Sequence, residues 1–222
     1  MKQTPVHDFH NPEILQLMPT TLARVVEVGC SSGALAREYK QINGKCHYLG
    51  IEIDENYASM ARRYCDEVVV ANIEGLADEE FARLLPANCW IFGDVLEHLY
   101  DPWSVLARIR KHMTADDCVI ACIPNVQHWS VQASLMAGQF FYQDSGLFDR
   151  THVRWFTRTT IIDMFTKAGF RIEAGIPRIF DNSAGVKFIE AIRSTAELMG
   201  MNANIAVQDA LPLQYVVKAV PS

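Results

Sequence analysis

Residues 25–39, VVEVGCSSGALAREY, decide the fold. A β-branched apolar run ends at Glu27-Val28-Gly29, the chain turns through Cys30-Ser31-Ser32-Gly33, and helix-forming residues follow. A glycine-rich strand-to-helix turn lets a ligand approach the backbone, where the helix N-terminus offers unpaired N–H donors. The dinucleotide fingerprint would need glycine at positions 29, 31 and 34, whereas this chain has Gly29, Ser31 and Ala34. The second of those glycines makes room for a pyrophosphate, so Ser31 disfavours NAD or FAD. Glu27 is likewise a poor neighbour for an anionic phosphate and suits a cationic ligand.

Outward from this turn, five further apolar runs read as strands: Cys46–Ile53, Glu67–Val70, Cys89–Gly93, Cys118–Ile123 and Phe170–Ile176, with 213–219 as a seventh. Helical patterns alternate with them at Ala34–Gln41, Glu55–Tyr64, Asp78–Leu84, Pro102–His112 and Thr159–Ala168. Asp101-Pro102 reads as an N-cap followed by the first helical position, and Gly169 as a helix stop. Short, continuously apolar strands alternating with helices imply βαβ units and a sheet covered on both faces. The expected fold is α/β: a doubly wound, seven-stranded, mostly parallel sheet in a single domain spanning 1–222. Two segments interrupt the alternation. Residues 124–157 form an aromatic-rich insertion after the fifth strand, too long for an ordinary connection. Residues 182–200 make an extra amphipathic helix, with Asn182 or Ser183 as its cap and Gly200 as its end.

The chain has 222 residues, half of them hydrophobic, which excludes a disordered or fibrous protein. Lys and Arg number 20 against 26 Asp and Glu, a formal charge of −6, so a basic nucleic-acid footprint is not expected. No apolar run is long enough to span a membrane. The N-terminus lacks a signal-peptide core, and the six cysteines form no CxxC or His-spaced set, which suits a reducing cytoplasm.

The second strand ends YLGIEID, placing Glu52 where a carboxylate can accept both hydroxyls of a ribose. The combination E-x-G-x-x-x-G followed by a strand-end acid resembles motifs I and II of class I S-adenosylmethionine-dependent methyltransferases. After the third strand, Ala71-Asn72-Ile73-Glu74 stands where that family sets a polar side chain on adenine and an apolar one against its face. GDVLEHLYDPWSVL after the fourth strand resembles the family's Asp-x-Leu-Glu-His segment, and Ile123-Pro124-Asn125-Val126 its IPN segment. The sequence DSGLFDRTHVRWFT is similar to small-molecule methyltransferases, notably those associated with glycosyltransferases, and also to the methionine-biosynthesis W group.

The resemblance implies S-adenosyl-L-methionine as cofactor, held by Glu27, Gly29, Ser31, Gly33, Glu52, Ile53, Asn72, Ile73, Asp94 and Val95. It implies methyl transfer to a hydroxyl or amine of a small molecule such as a sugar or polyketide. The alternative it leaves open is a non-catalytic S-adenosylmethionine-binding partner of a biosynthetic enzyme. Asp54 reads better as a helix cap than as the ribose acid, and Cys30 as a packing residue rather than a nucleophile.

The insertion holds Trp129, Phe140, Phe141, Tyr142, Phe148, Trp155 and Phe156 beside His128, Asp149, Arg150 and His152. Such a density either builds an accessory core or lines an apolar pocket over the acceptor. An imidazole suits removal of a hydroxyl proton near neutral pH, so His98, His128 and His152 are candidate bases, or braces of the cover. Trp129, Arg150 and Arg154 are candidate acceptor contacts. Arg150, Arg154 and Arg158 either recognise a phosphate or carboxylate or belong to a solvated hairpin. Glu97 and His98 alone make too few ligands for a metal, and none is expected. The stripe of Phe188, Ile189, Ile192, Leu198 and Met199 covers a sheet edge or pairs with its copy in a homodimer.

Overall fold

The computed structural model describes residues 8–180 and 185–222, so the expected caps Asn182 and Ser183 lie outside the described residues. Its elements run α1 (Pro12–Leu17), β1 (Arg24–Val28), α2 (Ala34–Ile42), β2 (His47–Glu52), α3 (Glu55–Ala61) and β3 (Glu67–Val70). They continue α4 (Asp78–Ala82), β4 (Cys89–Gly93), α5 (Pro102–Arg110), β5 (Cys118–Pro124), α6 (Trp129–Met136) and α7 (Arg158–Lys167). The chain closes with β6 (Phe170–Arg178), α8 (Val186–Leu198), α9 (Ala203–Ala210) and β7 (Gln214–Pro221). All seven strands join one sheet in the order β3-β2-β1-β4-β5-β7-β6, parallel except for β7, which runs antiparallel to both of its neighbours.

Alternation along each strand supplies two cores. Val26 and Val28 of β1 join Leu49, Ile51, Trp90 and Phe92 on one face, while Val25 joins Tyr48, Cys89 and Ile91 on the other. Helices cover both faces, which is why the strands read as unbroken apolar runs rather than alternating ones. The order reverses between β1 and β4, and ligands in open α/β sheets bind at the carboxyl ends of strands beside such a switch.

The caps behave as their chemistry requires. Asp54 accepts from the N–H groups of Asn56 and Tyr57 at the start of α3, and Asp101 from Ser104 N–H at the start of α5. Helix α1 was not expected from the sequence, being six residues long; Asn11 caps it through the N–H groups of Glu13 and Ile14. The segment after β5 contains one regular element, α6, and returns to the sheet through Val126 N–H on the Phe156 carbonyl. Helix α8 starts at Val186 without a side-chain cap and buries Ala196, while Phe188 and Leu198 remain 40% and 89% exposed. All six cysteines are free and buried. Among the described residues no helix is long and apolar enough to cross a membrane.

Candidate active site

The carboxyl ends of β1, β2 and β4 open into a cavity of about 660 Å³, a size typical of small-molecule sites. Its first wall is the β1–α2 turn. Gly29 and Gly33 both hold left-handed backbone, with φ of 71° and 79°. A Cβ on Gly29 would lie 2.5 Å from a methyl of Val95, so glycine there lets the β4 loop close against the turn. Gly33 differs from the expectation of a ligand contact. It lies off the cavity wall, and its missing Cβ makes room for the backbone of Ala61 in α3, 3.0 Å from where that atom would be.

Among the described residues, Ser31 and Asp94 are the two non-glycine residues with left-handed backbone, at φ of 47° and 55°, and both line the cavity. Strain of this kind persists where surrounding structure over-determines it, and it concentrates at ligand sites. Ser31 is held by its N–H, which donates to Glu52 Oε2 at 2.8 Å. Asp94 accepts from the Gln214 amide of β7. Glu52, buried at the end of β2, also accepts from the N–H of Ile53 at 2.8 Å, so one carboxylate joins two loops. Ile53 is 54% exposed over the opening, whereas Ile73 is buried below it and Asn72 caps the turn that carries Ile73.

Glu27 lines the same cavity from beneath. Its carboxyl accepts from the Tyr48 hydroxyl at 2.9 Å, yet burial, with a smaller push from the Glu52 charge, raises its pKa to about 8. A buried acid without a cation beside it is a site that a positive ligand charge can fill.

The far wall joins β4 to the segment after β5. Val153 and Arg154 N–H both donate to the Glu97 carbonyl at 3.0 Å, which carries His152 back over the strand end. The His98 and His152 rings meet edge to face, 4.8 Å between centroids. Their Nε2 atoms stand 4.0 and 3.9 Å from Glu97 Oε1, beyond hydrogen-bond range. Burial holds His98 below its usual range and, with the neighbouring His98, pushes His152 down to about 4. Burial also drives Glu97 well above the usual carboxylate range, and the charges of Asp94 and Asp149 add to it. Asp149 itself stays low because bonds from Thr151 outweigh its burial.

Four further expected site residues stand off the cavity wall. His128 is off the cavity, its ring capping α6 through Ser130 N–H and touching the Ser130 hydroxyl at 2.8 Å. Trp129 stacks on Phe188 of α8 with 5.9 Å between ring centroids, so it braces an accessory helix rather than the cavity. Arg150 pairs with Asp144 at 2.9 Å on the surface. Arg154 bonds the Tyr100 carbonyl and lies over the Trp103 ring. The expected basic cluster is therefore dispersed, and Arg158 is committed to Asp209 at 2.7 Å. Phe9, His10 and Phe180 also join the mouth of the cavity, and neither Phe9 nor Phe180 carries a local sequence signal for it.

A methyltransferase-domain family model matches residues 9–174. No curated protein matches the chain by sequence. Solved structures share its fold at low identity. One is an O-methyltransferase from neocarzinostatin biosynthesis in complex with S-adenosylmethionine and 2-hydroxy-5-methyl naphthoic acid (13% identity, TM-score 0.57, covering 95% of this chain). This chain spans about half of that one (52%). Another is magnesium protoporphyrin IX methyltransferase from Synechocystis PCC 6803 with bound S-adenosylhomocysteine (14% identity, TM-score 0.57, covering 89% of this chain and 74% of that one). A third comes from the complex of the Haloferax volcanii Trm112 methyltransferase activator (16% identity, TM-score 0.60, covering 95% and 87%). The family model takes in the turn, the strand-end acids and the Glu-His segment that build this cavity, and the chain belongs to the methyltransferase-domain family.

Proposed function

We propose that this methyltransferase uses S-adenosylmethionine to methylate a hydroxyl, or an amine, of a small molecule. The observation that carries the reading is one cavity with two chemically different ends. Glu27, Glu52, Ile53 and Asn72 stand at one end, and Glu97, His98 and His152 at the other.

The cofactor end fits its ligand. Glu52 is pinned by backbone N–H groups and keeps acceptor capacity for two ribose hydroxyls. The exposed face of Ile53 suits an adenine ring, and Asn72 its polar edge. Glu27 answers the ammonium and sulfonium charge. When bound, S-adenosylmethionine supplies an electrophilic methyl carbon on sulfur. The chain then has to align the acceptor in line with that carbon and draw off the hydroxyl proton. The buried Leu99 side chain adds an apolar patch to the cavity wall. His98 and His152 are the imidazoles that face the acceptor end, whereas His128 does not.

Support for a small acceptor comes from the cavity's size and from its enclosure by the segment after β5. The naphthoic acid seen with the neocarzinostatin O-methyltransferase supports an oxygen-bearing ring as a model acceptor. The test is titration calorimetry with S-adenosylhomocysteine, followed by transfer of labelled methyl to a panel of phenols, sugars and amines. Glu52→Ala, checked for native circular dichroism, is expected to weaken binding by about a hundredfold through two lost charge-assisted hydrogen bonds. Unchanged affinity would remove the assignment. Binding without transfer to any acceptor would leave a cofactor-binding partner protein instead.

A further inference from the structure

Glu97 is 1% exposed, and neither of its carboxylate oxygens is hydrogen-bonded by another of the described residues. A buried carboxyl left so is costly unless something completes it. Two groups face it. The Nε2 atoms of His98 and His152 both point at Oε1, and the three donor atoms all lie within 4.8 Å of one another. Ligands sharing one tetrahedral ion with bonds of roughly 2.1 Å would be about 3.4 Å apart. Closing the set needs movements of about an ångström, within reach of a carboxylate rotation.

The surroundings of the two rings point the same way. His98 Nδ1 lies 3.2 Å from the Thr151 carbonyl and 3.1 Å from the Thr151 hydroxyl, which itself donates to Asp149 Oδ1 at 2.6 Å. The Leu147 backbone faces the His152 ring and favours its protonated form. A ring that donates one N–H to a backbone carbonyl presents the other nitrogen as a bare lone pair. This is the outer arrangement that orients a ligating histidine.

We infer that Glu97, His98 and His152 form a site for one divalent first-row cation, with its open positions facing the cavity. Two imidazoles and one carboxylate suit cobalt, manganese, iron or zinc better than calcium. Three protein ligands, rather than four, leave room for an oxygen of the acceptor. Charge on the ion would favour the deprotonated hydroxyl; this use of the site, unlike the binding itself, rests on the proposed function.

The test is titration of the chelator-stripped full chain with Co(II), followed by its visible absorption. One ion per chain is expected, with two paramagnetically shifted, exchangeable imidazole N–H resonances in the wild-type NMR spectrum. His152→Asn and Glu97→Gln should lower Co(II) affinity at least about tenfold, while His128→Asn leaves it unchanged. Absence of binding, binding without shifted imidazole protons, or equal binding by all variants would overturn the site. The resonances need no variant, so a variant that fails to fold does not rescue the idea. S-adenosylhomocysteine is titrated in parallel. Its binding without Co(II) binding removes the metal site and keeps the cofactor reading, and the reverse result removes the cofactor reading alone.

Discussion

At the scale of the residue, Glu27 has the most direct physical consequence. The groups facing it are the Tyr48 hydroxyl, the Glu52 carboxylate and the Cys30 thiol, none of them a cation. Its folded pKa of about 8 lies above the ordinary 4.5, so the folded chain holds a proton that the unfolded chain releases. The resulting stabilisation is complete below the ordinary value and is lost as pH rises through about 8. Glu27→Gln should therefore flatten the fall in melting temperature between acid and alkaline pH, and should melt higher than wild type at pH about 8.5. A parallel pair of melting curves would exclude the assigned burial. Cofactor binding should also release a proton, seen as a buffer-dependent heat, and the variant should release none. In the sequence Glu27 was legible as an acid facing a cation because the offset from Gly29 alone places it at the strand end. That its partner would be Tyr48 depended on the register Glu27↔Gly50, which local spacing does not contain.

At the scale of the element, the return from the segment after β5 is held by an arginine that the sequence offered to the substrate. Arg158 opens α7, and its Nε and Nη2 reach the two oxygens of Asp209 at 2.7 and 3.0 Å, with the Tyr215 hydroxyl on the same carboxylate at 3.2 Å. Asp209 is only 4% exposed, so the pair staples α7 to α9 and β7. Asn125 completes the junction, donating to the carbonyls of Asp209 and Pro212 at 2.8 Å. Because the Arg158 side chain is 41% exposed, its own charge counts for less than the acid it would abandon. Arg158→Met should cost about 2 kcal/mol through the unpaired acid, lowering Tm by about 4–8 °C. Arg158→Met/Asp209→Leu should recover part of this, since removing both partners leaves no orphan charge. A single variant as stable as wild type would show that the staple contributes nothing. Strands β1 and β4 were legible to the residue because buried parallel strands need unbroken apolar runs, and the half-exposed edge strand β3 because three consecutive valines favour extended backbone. The basic residues were not, since a row of arginines looks alike whether it meets a ligand or three separate internal partners.

At the scale of the whole molecule, the cavity is assembled from parts of the chain that are far apart in sequence. Glu97 and His152 meet because the Glu97 carbonyl collects the N–H groups of Val153 and Arg154, a contact across more than fifty positions that no local pattern encodes. The mouth repeats this principle. Phe9 precedes α1, Tyr100 follows β4 and Phe180 follows β6, and all three line the opening while being 80%, 66% and 53% exposed. Rings this exposed at a cavity rim add little to the unliganded fold, even with the Arg178 guanidinium over Phe180, because surface substitutions usually cost under about 0.5 kcal/mol. They gain when a ligand covers them, by about 1 kcal/mol for each ring half buried in the process. Phe9→Ala/Phe180→Ala should thus leave Tm of the ligand-free chain within about 1–2 °C of wild type. The same double variant should weaken S-adenosylhomocysteine or acceptor binding by about thirtyfold, measured by titration calorimetry. Equal affinity with equal melting would mean that both rings stay in water in the complex and that the mouth does not close over its ligands. A large drop in melting temperature would instead place the rings in the core that supports the sheet.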